Sequence, residues 1–237
     1  PMAIIPRGTA NAIATALDIP NNLIAACDIA INGATRTIDT ACCNGRPMVL
    51  LAGIGLEASV VEHASRDAKD RIGAFAYHVS SIQQLSELDS FEAQLETEDR
   101  IISLSASAIT IANIAPSTSV LAQGPAEVVA DDGLLDITIL ASSGIGDTLA
   151  ASYELFRSAV SNQAAQRDDV GYMRSNHIRI TTDPAQKVVL DGEMVGTTPL
   201  DIRCIPHSLK LLVPQQPAQT KSEDLSGLPN LSVEHKR

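Results

Sequence analysis

The chain is poor in several things, and each shortage excludes a class of protein. It has no tryptophan, and only 3% of its residues are aromatic, although 45% are hydrophobic. At 237 residues it is long enough for one large domain or two small ones, with a core that needs no disulfide or metal staple. Basic residues are scarce: 17 Lys and Arg stand against 28 Asp and Glu, giving a net charge of −11. Without a basic run, the chain lacks the clustered positive surface of a general nucleic-acid binder and the polybasic segment of a membrane anchor. Cysteine is limited to Cys27, Cys42, Cys43 and Cys204, with no CxxC pair and no Cys/His spacing suited to zinc. Adjacent Cys42 and Cys43, read as strand residues, point to opposite faces and serve as small apolar residues. Reduced thiols and the lack of a signal-like start fit a cytoplasmic protein. The charge-free stretch from Ser103 to Ala126 carries Ser, Thr, Asn and Pro throughout, unlike a membrane span. The motifs GxSxG, Walker A and HExxH do not occur, and the five histidines form no metal spacing.

What is present is a short α/β opening followed by mostly strand-like sequence. Ala3 to Pro6 reads as a strand, and a turn at Arg7–Asn11 leads into a helix over about Ala10 to Leu17 that Pro20 ends. A second helix spans about Asn22 to Asn32. Strands are expected over Thr35 to Cys43 and Pro47 to Leu51, joined as a hairpin by Asn44-Gly45. Gly53-Ile54-Gly55 then reads as a strand break. Helical spacing marks Glu57 to Ala68, Ile72 to Leu88 and Gly146 to Ala165. Alternation of Ile102, Leu104, Ala106 and Ala108 with serines predicts one half-buried strand. Further strands are expected at Leu134 to Leu140, Ile178 to Thr181, Lys187 to Leu190, Leu200 to Cys204 and Leu209 to Val213. Beyond Pro214 the composition turns to Gln, Pro, Ser and charge, which predicts a disordered tail over 215–237. The expected fold class is therefore α/β plus β, with a β-rich domain carrying inserted helices.

Three segments could carry chemistry, and each has a plain structural alternative. Pro6-Arg7-Gly8-Thr9-Ala10-Asn11-Ala12 joins a strand to a helix start. Its backbone N–H groups and the Thr9 hydroxyl suit a phosphate oxygen, or Thr9 simply caps the helix. Asp131-Asp132-Gly133-Leu134-Leu135-Asp136 clusters carboxylates around a turn. That suits a hard cation such as Mg²⁺, or an Asp-Gly turn before a strand. In Val189-Leu190-Asp191-Gly192-Glu193, the Asp-Gly pair makes a hairpin, and Glu193 beside it is either a fixed general base or a solvated residue.

Taken in order, these segments resemble the diacylglycerol kinase catalytic-domain superfamily, especially its YegS/BmrU-like bacterial lipid kinases. The carriers are Pro6 to Ala14, Asp132-Gly133-Leu134-Leu135-Asp136, Asp191-Gly192-Glu193 with Thr198-Pro199, and Leu209 to Pro214. The resemblance covers about residues 1–214. It implies the end of an α/β nucleotide-binding domain at 1–32 and a β-rich second domain at 33–207. The strand within 208–214 would return to the first domain. The family's upstream Gly-Gly-Asp-Gly-Thr segment does not occur here, and the abrupt start at Pro1 reads as a piece of a longer protein. Ala12 stands where many relatives have Asp. A loop containing Pro and Ser follows Asn113 where relatives are often glycine-rich.

The function so implied is ATP- and Mg²⁺-dependent transfer of a γ-phosphoryl group to a lipid hydroxyl, with the isolated chain inactive. Gly8, Thr9 and Asn11 would hold ATP phosphate. Asp132, with backbone oxygens of Val129 and Leu134, would hold Mg²⁺, and Glu193 would act as base. The implied partners are a lipid substrate, a membrane surface met from the cytoplasm and a second copy of the chain; nucleic acid is excluded. Two alternatives stand beside this reading: a non-catalytic lipid-binding or oligomerisation module, and a soluble-metabolite kinase of NAD-kinase type.

Overall fold

The Asn44-Gly45 pair does what its type dictates. Both residues take positive φ, 48° and 80°, as a two-residue hairpin turn requires. They join β1 (Ala34–Cys43) to β2 (Arg46–Met48), with Cys43 opposite Arg46. This computed structural model describes residues 1–8, 11–55, 58, 90–115, 128–141, 170–214 and 232–235. The helices expected over Glu57–Ala68, Ile72–Leu88 and Gly146–Ala165 fall outside the described residues, Ala58 excepted. The described helices are α1 (Ala12–Ala16) and α2 (Leu23–Asn32). Asn22 caps α2: its side chain accepts hydrogen bonds from the Ile24 and Ala25 N–H groups at 3.0 and 3.1 Å.

The remaining strands are β3 (Leu51–Gly55), β4 (Phe91–Glu96), β5 (Arg100–Ala106), β6 (Ala108–Ala112) and β7 (Leu135–Leu140). They continue with β8 (Val170–Ser175), β9 (His177–Asp183), β10 (Lys187–Leu190), β11 (Glu193–Thr197), β12 (Leu200–Val213) and β13 (Ser232–His235). They form two antiparallel sheets, ordered β13-β5-β4-β9-β12-β1-β2 and β11-β10-β3-β6-β7-β8. Phe91, Leu95, Ile102, Ile178 and Ile202 from the first sheet meet Ile54, Ile109, Ile137, Met173 and Val188 from the second in one buried core. The result is a β-sandwich, and the β-rich expectation holds. Burial pushes the thiols of Cys43 and Cys204 up to about 11, so both remain protonated fillers of that core.

Four local expectations are corrected. Gly53-Ile54-Gly55 does not break a strand; it is the buried half of β3. The alternating run from Ile102 to Ala108 is two strands, because the chain passes between sheets at Ser107, whose N–H bonds to the Leu140 carbonyl at 2.8 Å. Leu200–Cys204 and Leu209–Val213 are one strand, β12. Its bend is absorbed at His207, with φ of 50°. Within the tail expected to be disordered, Ser232–His235 is a strand paired with Arg100–Ser103. Composition missed it because backbone pairing on a sheet edge needs no apolar run. Strand β8 was not read from the sequence either.

A second, smaller core sits at one end of the sandwich. Ala14, Leu17, Ile19 and Ala26 from the helical opening pack there with Ile38, Ile114, Ala130, Leu211 and Val213. Ile13, Val49 and Leu50 pack against its margin. The chain start also adds to β12: Met2 N–H bonds to the Lys210 carbonyl, and Leu212 N–H to the Met2 carbonyl, both at 2.8 Å.

Gly55 closes β3 at φ +75°, and a Cβ there would lie 2.4 Å from the Ser107 carbonyl oxygen. Gly55→Ala should therefore cost about 2–4 kcal/mol, combining a left-handed backbone penalty with overpacking. Gly45→Ala, where φ is +80° but nothing lies within 4 Å, should cost only about 1–2 kcal/mol. Urea unfolding midpoints of the two variants measure the difference.

Candidate functional site

The small core lies next to the three segments singled out by sequence, through residues that flank or bond to them. Ile13 and Ala14 immediately follow the first, Ala130 immediately precedes the second, and Val49 and Leu50 anchor the third. The anchoring is by hydrogen bonds. Asp191, at φ 49°, and Gly192, at φ 87°, form the β10–β11 turn. The Asp191 carboxylate accepts from the Val49, Leu50 and Leu51 N–H groups at 2.8, 2.9 and 3.0 Å. The hairpin tip is thereby fixed to the chain just before β3. Glu193 follows it, exposed, as the first residue of β11. Thr198 is buried, and its hydroxyl shares a 2.6 Å hydrogen bond with Thr182.

From Val49 the network continues inward. The Asn113 side-chain amide donates to the Val49 carbonyl at 2.8 Å and to the Asp39 carbonyl at 2.9 Å. Asp39 has no solvent exposure. Its carboxylate accepts from the Gly133 N–H and the His207 N–H, both at 2.7 Å. Its own N–H bonds to the Ala130 carbonyl at 2.7 Å. The acidic turn and the Glu193 hairpin are thus two ends of one hydrogen-bonded path, Gly133–Asp39–Asn113–Val49–Asp191. Sequence reasoning missed Asp39 because a lone acid in a strand resembles any solvated residue. A charged residue amid the apolar and threonine-rich run of β1 was the available signal.

The first segment is used internally. The Gly8 N–H donates to the Asn11 side-chain oxygen at 2.8 Å. Asn11, at φ 47°, is the N-cap of a five-residue α1, where the sequence suggested Thr9. Its backbone carbonyl accepts from the Thr15 N–H at 2.9 Å and from the Thr15 hydroxyl at 3.2 Å. Thr9 itself lies outside the described residues.

The residues present do not fit a resident Mg²⁺ at Asp132 with Val129 and Leu134, the site implied by the resemblance. One Asp132 oxygen accepts from the Leu134 N–H at 3.0 Å, and the other is buried against Arg174 Nη2 as an ion pair. Arg174 Nε also lies 3.5 Å from Asp136, whose carboxylate accepts from the Tyr172 hydroxyl. Asp131 pairs with Arg36 through two contacts of 3.3 Å. Donors of the protein, not a cation, meet these carboxylates. Among the described residues, no group of three or more His, Cys, Asp or Glu is arranged to hold a metal.

Removing the Asp191 carboxylate would leave three half-buried N–H groups without their acceptor. Asp191→Ala should cost about 2–4 kcal/mol of stability. Asp191→Asn, which keeps one acceptor and tolerates a left-handed φ, should cost about half as much. Thermal melting of the two variants checks the order.

Comparison with known proteins agrees with the β-sandwich fold. Residues 51–213 match the family described as the YegS C-terminal NAD kinase beta sandwich-like domain, and residues 1–43 match the diacylglycerol kinase catalytic domain. The chain is 46% identical over 214 residues to the uncharacterized protein sll0036 of Synechocystis, covering 90% of this chain but 49% of that protein. It is 24% identical to a diacylglycerol kinase of Bacillus subtilis, covering 92% of this chain and 71% of the relative. A crystal structure of a diacylglycerol kinase from Bacillus anthracis superposes with a TM-score of 0.62 at 18% identity, over 89% of this chain and 66% of that one, which speaks to the fold. This chain therefore spans about half the length of the Synechocystis relative, and by its match over residues 51–213 it belongs to the YegS-like family of diacylglycerol kinase relatives.

Proposed function

We propose that this chain is part of a lipid kinase that moves the γ-phosphoryl group of ATP to a lipid hydroxyl. The observation that carries the reading is the arrangement described above. A polar path links the turn at Gly133 to the Asp191 hairpin, and Ile13 and Ala14, just after the first segment, share a small core with Ala130, just before that turn. Phosphoryl transfer depends mainly on positioning and charge neutralisation, and a rigid polar frame between separated loops supplies positioning. ATP would enter as its magnesium complex, with the metal part of the substrate.

In this reading Gly8, Thr9 and Asn11 would hold the phosphates, at the end of a nucleotide-binding domain. The family resemblance supports this, together with a left-handed Asn11 that holds the Gly8 turn in shape. Glu193 accepts the proton of the acceptor hydroxyl as that oxygen forms its bond to phosphorus. Its support is its position. Asp191 holds the hairpin through three N–H groups, while the Glu193 side chain is exposed and can meet a second substrate. The polar path orients Glu193 through the hairpin without taking part in the proton transfer.

The lipid would be met at a cytoplasmic membrane surface. No helix among the described residues is long and apolar enough to cross a membrane. The activity would belong to a longer polypeptide, since the sequence carries no Gly-Gly-Asp-Gly-Thr segment.

Two measurements test this. Glu193→Gln in the full-length parent should lower kcat by about 10²–10⁴-fold on its lipid, with little change in ATP affinity or melting temperature. Near-normal kcat would remove Glu193 as the base. The 237 residues alone should show negligible ATP turnover in the lipid-phosphorylation assay that the full-length protein passes. Robust turnover by the isolated chain would refute the division of the active site between two parts.

A further inference from the structure

We propose that Arg174 is the built-in cation of the Asp131–Leu134 turn, so that the turn is held by guanidinium groups and needs no metal ion. The argument starts from register. Asp136 on β7 and Arg174 on β8 are directly opposite in an antiparallel pair, so their side chains share one face of the sheet. Asp136 is 2% exposed and the Arg174 side chain 12%. At that burial neither charge is tolerable without a partner. Arg174 sends Nε to Asp136 and Nη2 to Asp132, bridging the strand to the turn four residues before it. The Tyr172 hydroxyl, two residues along the same strand and on the same face, donates to Asp136 as well. Burial lowers the Arg174 pKa, but a guanidinium starts so high that it stays charged across the physiological range.

Every carboxylate around the turn is met in the same way. Asp131 has Arg36, Asp132 has Arg174 and the Leu134 N–H, and Asp39 has the N–H groups of Gly133 and His207. Placing Mg²⁺ on Asp132 would set a dication beside a buried guanidinium. It would also displace that guanidinium from one of its two carboxylates. Mg²⁺ further demands near-octahedral oxygen geometry and gives up its water reluctantly. A planar fork between two carboxylates meets neither need, but it sets one positive charge against both anions at once. Arg174 is therefore a positioning residue. It fixes the turn whose Gly133 N–H engages Asp39, and through Asp39 the path to the Asp191 hairpin. The inference holds whether or not the protein proves to be a kinase.

The test is metal content and melting temperature, with no use of activity. The protein, purified without chelator, is gel-filtered, analysed for metals by mass spectrometry, and melted with EDTA or with millimolar MgCl₂ against an ionic-strength control. The wild type should carry far less than one metal per chain, and its Tm should be the same in EDTA and in MgCl₂. Arg174→Met should lower Tm by roughly 6–20 °C, the effect of breaking a buried ion pair in a chain of this size. Part of that loss should return with MgCl₂, because two carboxylates then face each other without a cation. Arg174→Lys, which keeps the charge but loses the fork, should fall between. One metal per wild-type chain would overturn the proposal, as would a Mg²⁺-dependent rise in wild-type Tm that disappears in Asp132→Asn. An unchanged Tm in Arg174→Met would overturn it as well. If Arg174→Met does not fold, the wild-type measurements and Arg174→Lys decide.

Discussion

A carboxylate with no contact to solvent must find donors inside the protein, and at Asp39 that requirement organises one end of the molecule. Leaving such a charge unpaired would cost several kcal/mol, so the N–H groups that reach it are held in place. They come from Gly133, in the turn before β7, and from His207, at the bend of β12. The left-handed conformation of His207 is costly for a residue with a Cβ. The hydrogen bond it gives Asp39 is the compensation. The exposed His207 ring, whose Nδ1 stands 3.7 Å from the same carboxylate, is a weaker companion. One buried anion thus ties β1, β7 and β12 together, although they lie in two different sheets.

This polar path also shapes the small core. Asn113 gives both side-chain hydrogens to backbone carbonyls, one on β1 and one just before β3. Val49 and Leu50, bonded to Asn113 and Asp191, pack at the margin of the core that the helical opening shares. The opening is therefore packed against a surface whose backbone is already fixed. Polar bonds specify the geometry, while Leu17, Ile19, Ile38 and Leu211 supply the apolar area that drives burial.

Much of this was legible in the sequence, for identifiable reasons. Asn-Gly and Asp-Gly mark two-residue turns through their tolerance of positive φ, and both hairpins formed where expected. Period-two patterning identified β5, which buries one face, and strands were also expected where β7, β9 and β10 lie. Patterning failed at β6, which is buried throughout, so no alternation marks the passage between sheets at Ser107. It failed again at β8, where Tyr172 and Arg174 look like ordinary surface residues until Asp136 is seen opposite them. The three candidate segments were visible as short patterns. The link between the second and third was not, because Asp39, Asn113 and Val49, which join them, carry no pattern of their own.

The carboxylates show why sequence could propose roles but not assign them. Asp132, Asp136, Asp191 and Glu193 are chemically alike and all lie in or beside turns. In the structure, three of them are occupied as acceptors of backbone N–H, hydroxyl or guanidinium groups. A carboxylate so engaged is held in one orientation, which makes it a strut. A general base needs an orientation fixed by its backbone and a side chain open to another molecule. Glu193, the base in the proposed function, is left exposed because Asp191, two residues earlier, takes the structural bonds instead. The adjacent acids divide the work: the shorter side chain reaches the backbone and sets the turn, and the longer one extends into solvent. Aspartate and glutamate are not interchangeable across Asp191-Gly192-Glu193. The reach of each side chain, not its charge, decides which becomes the strut and which remains available for chemistry.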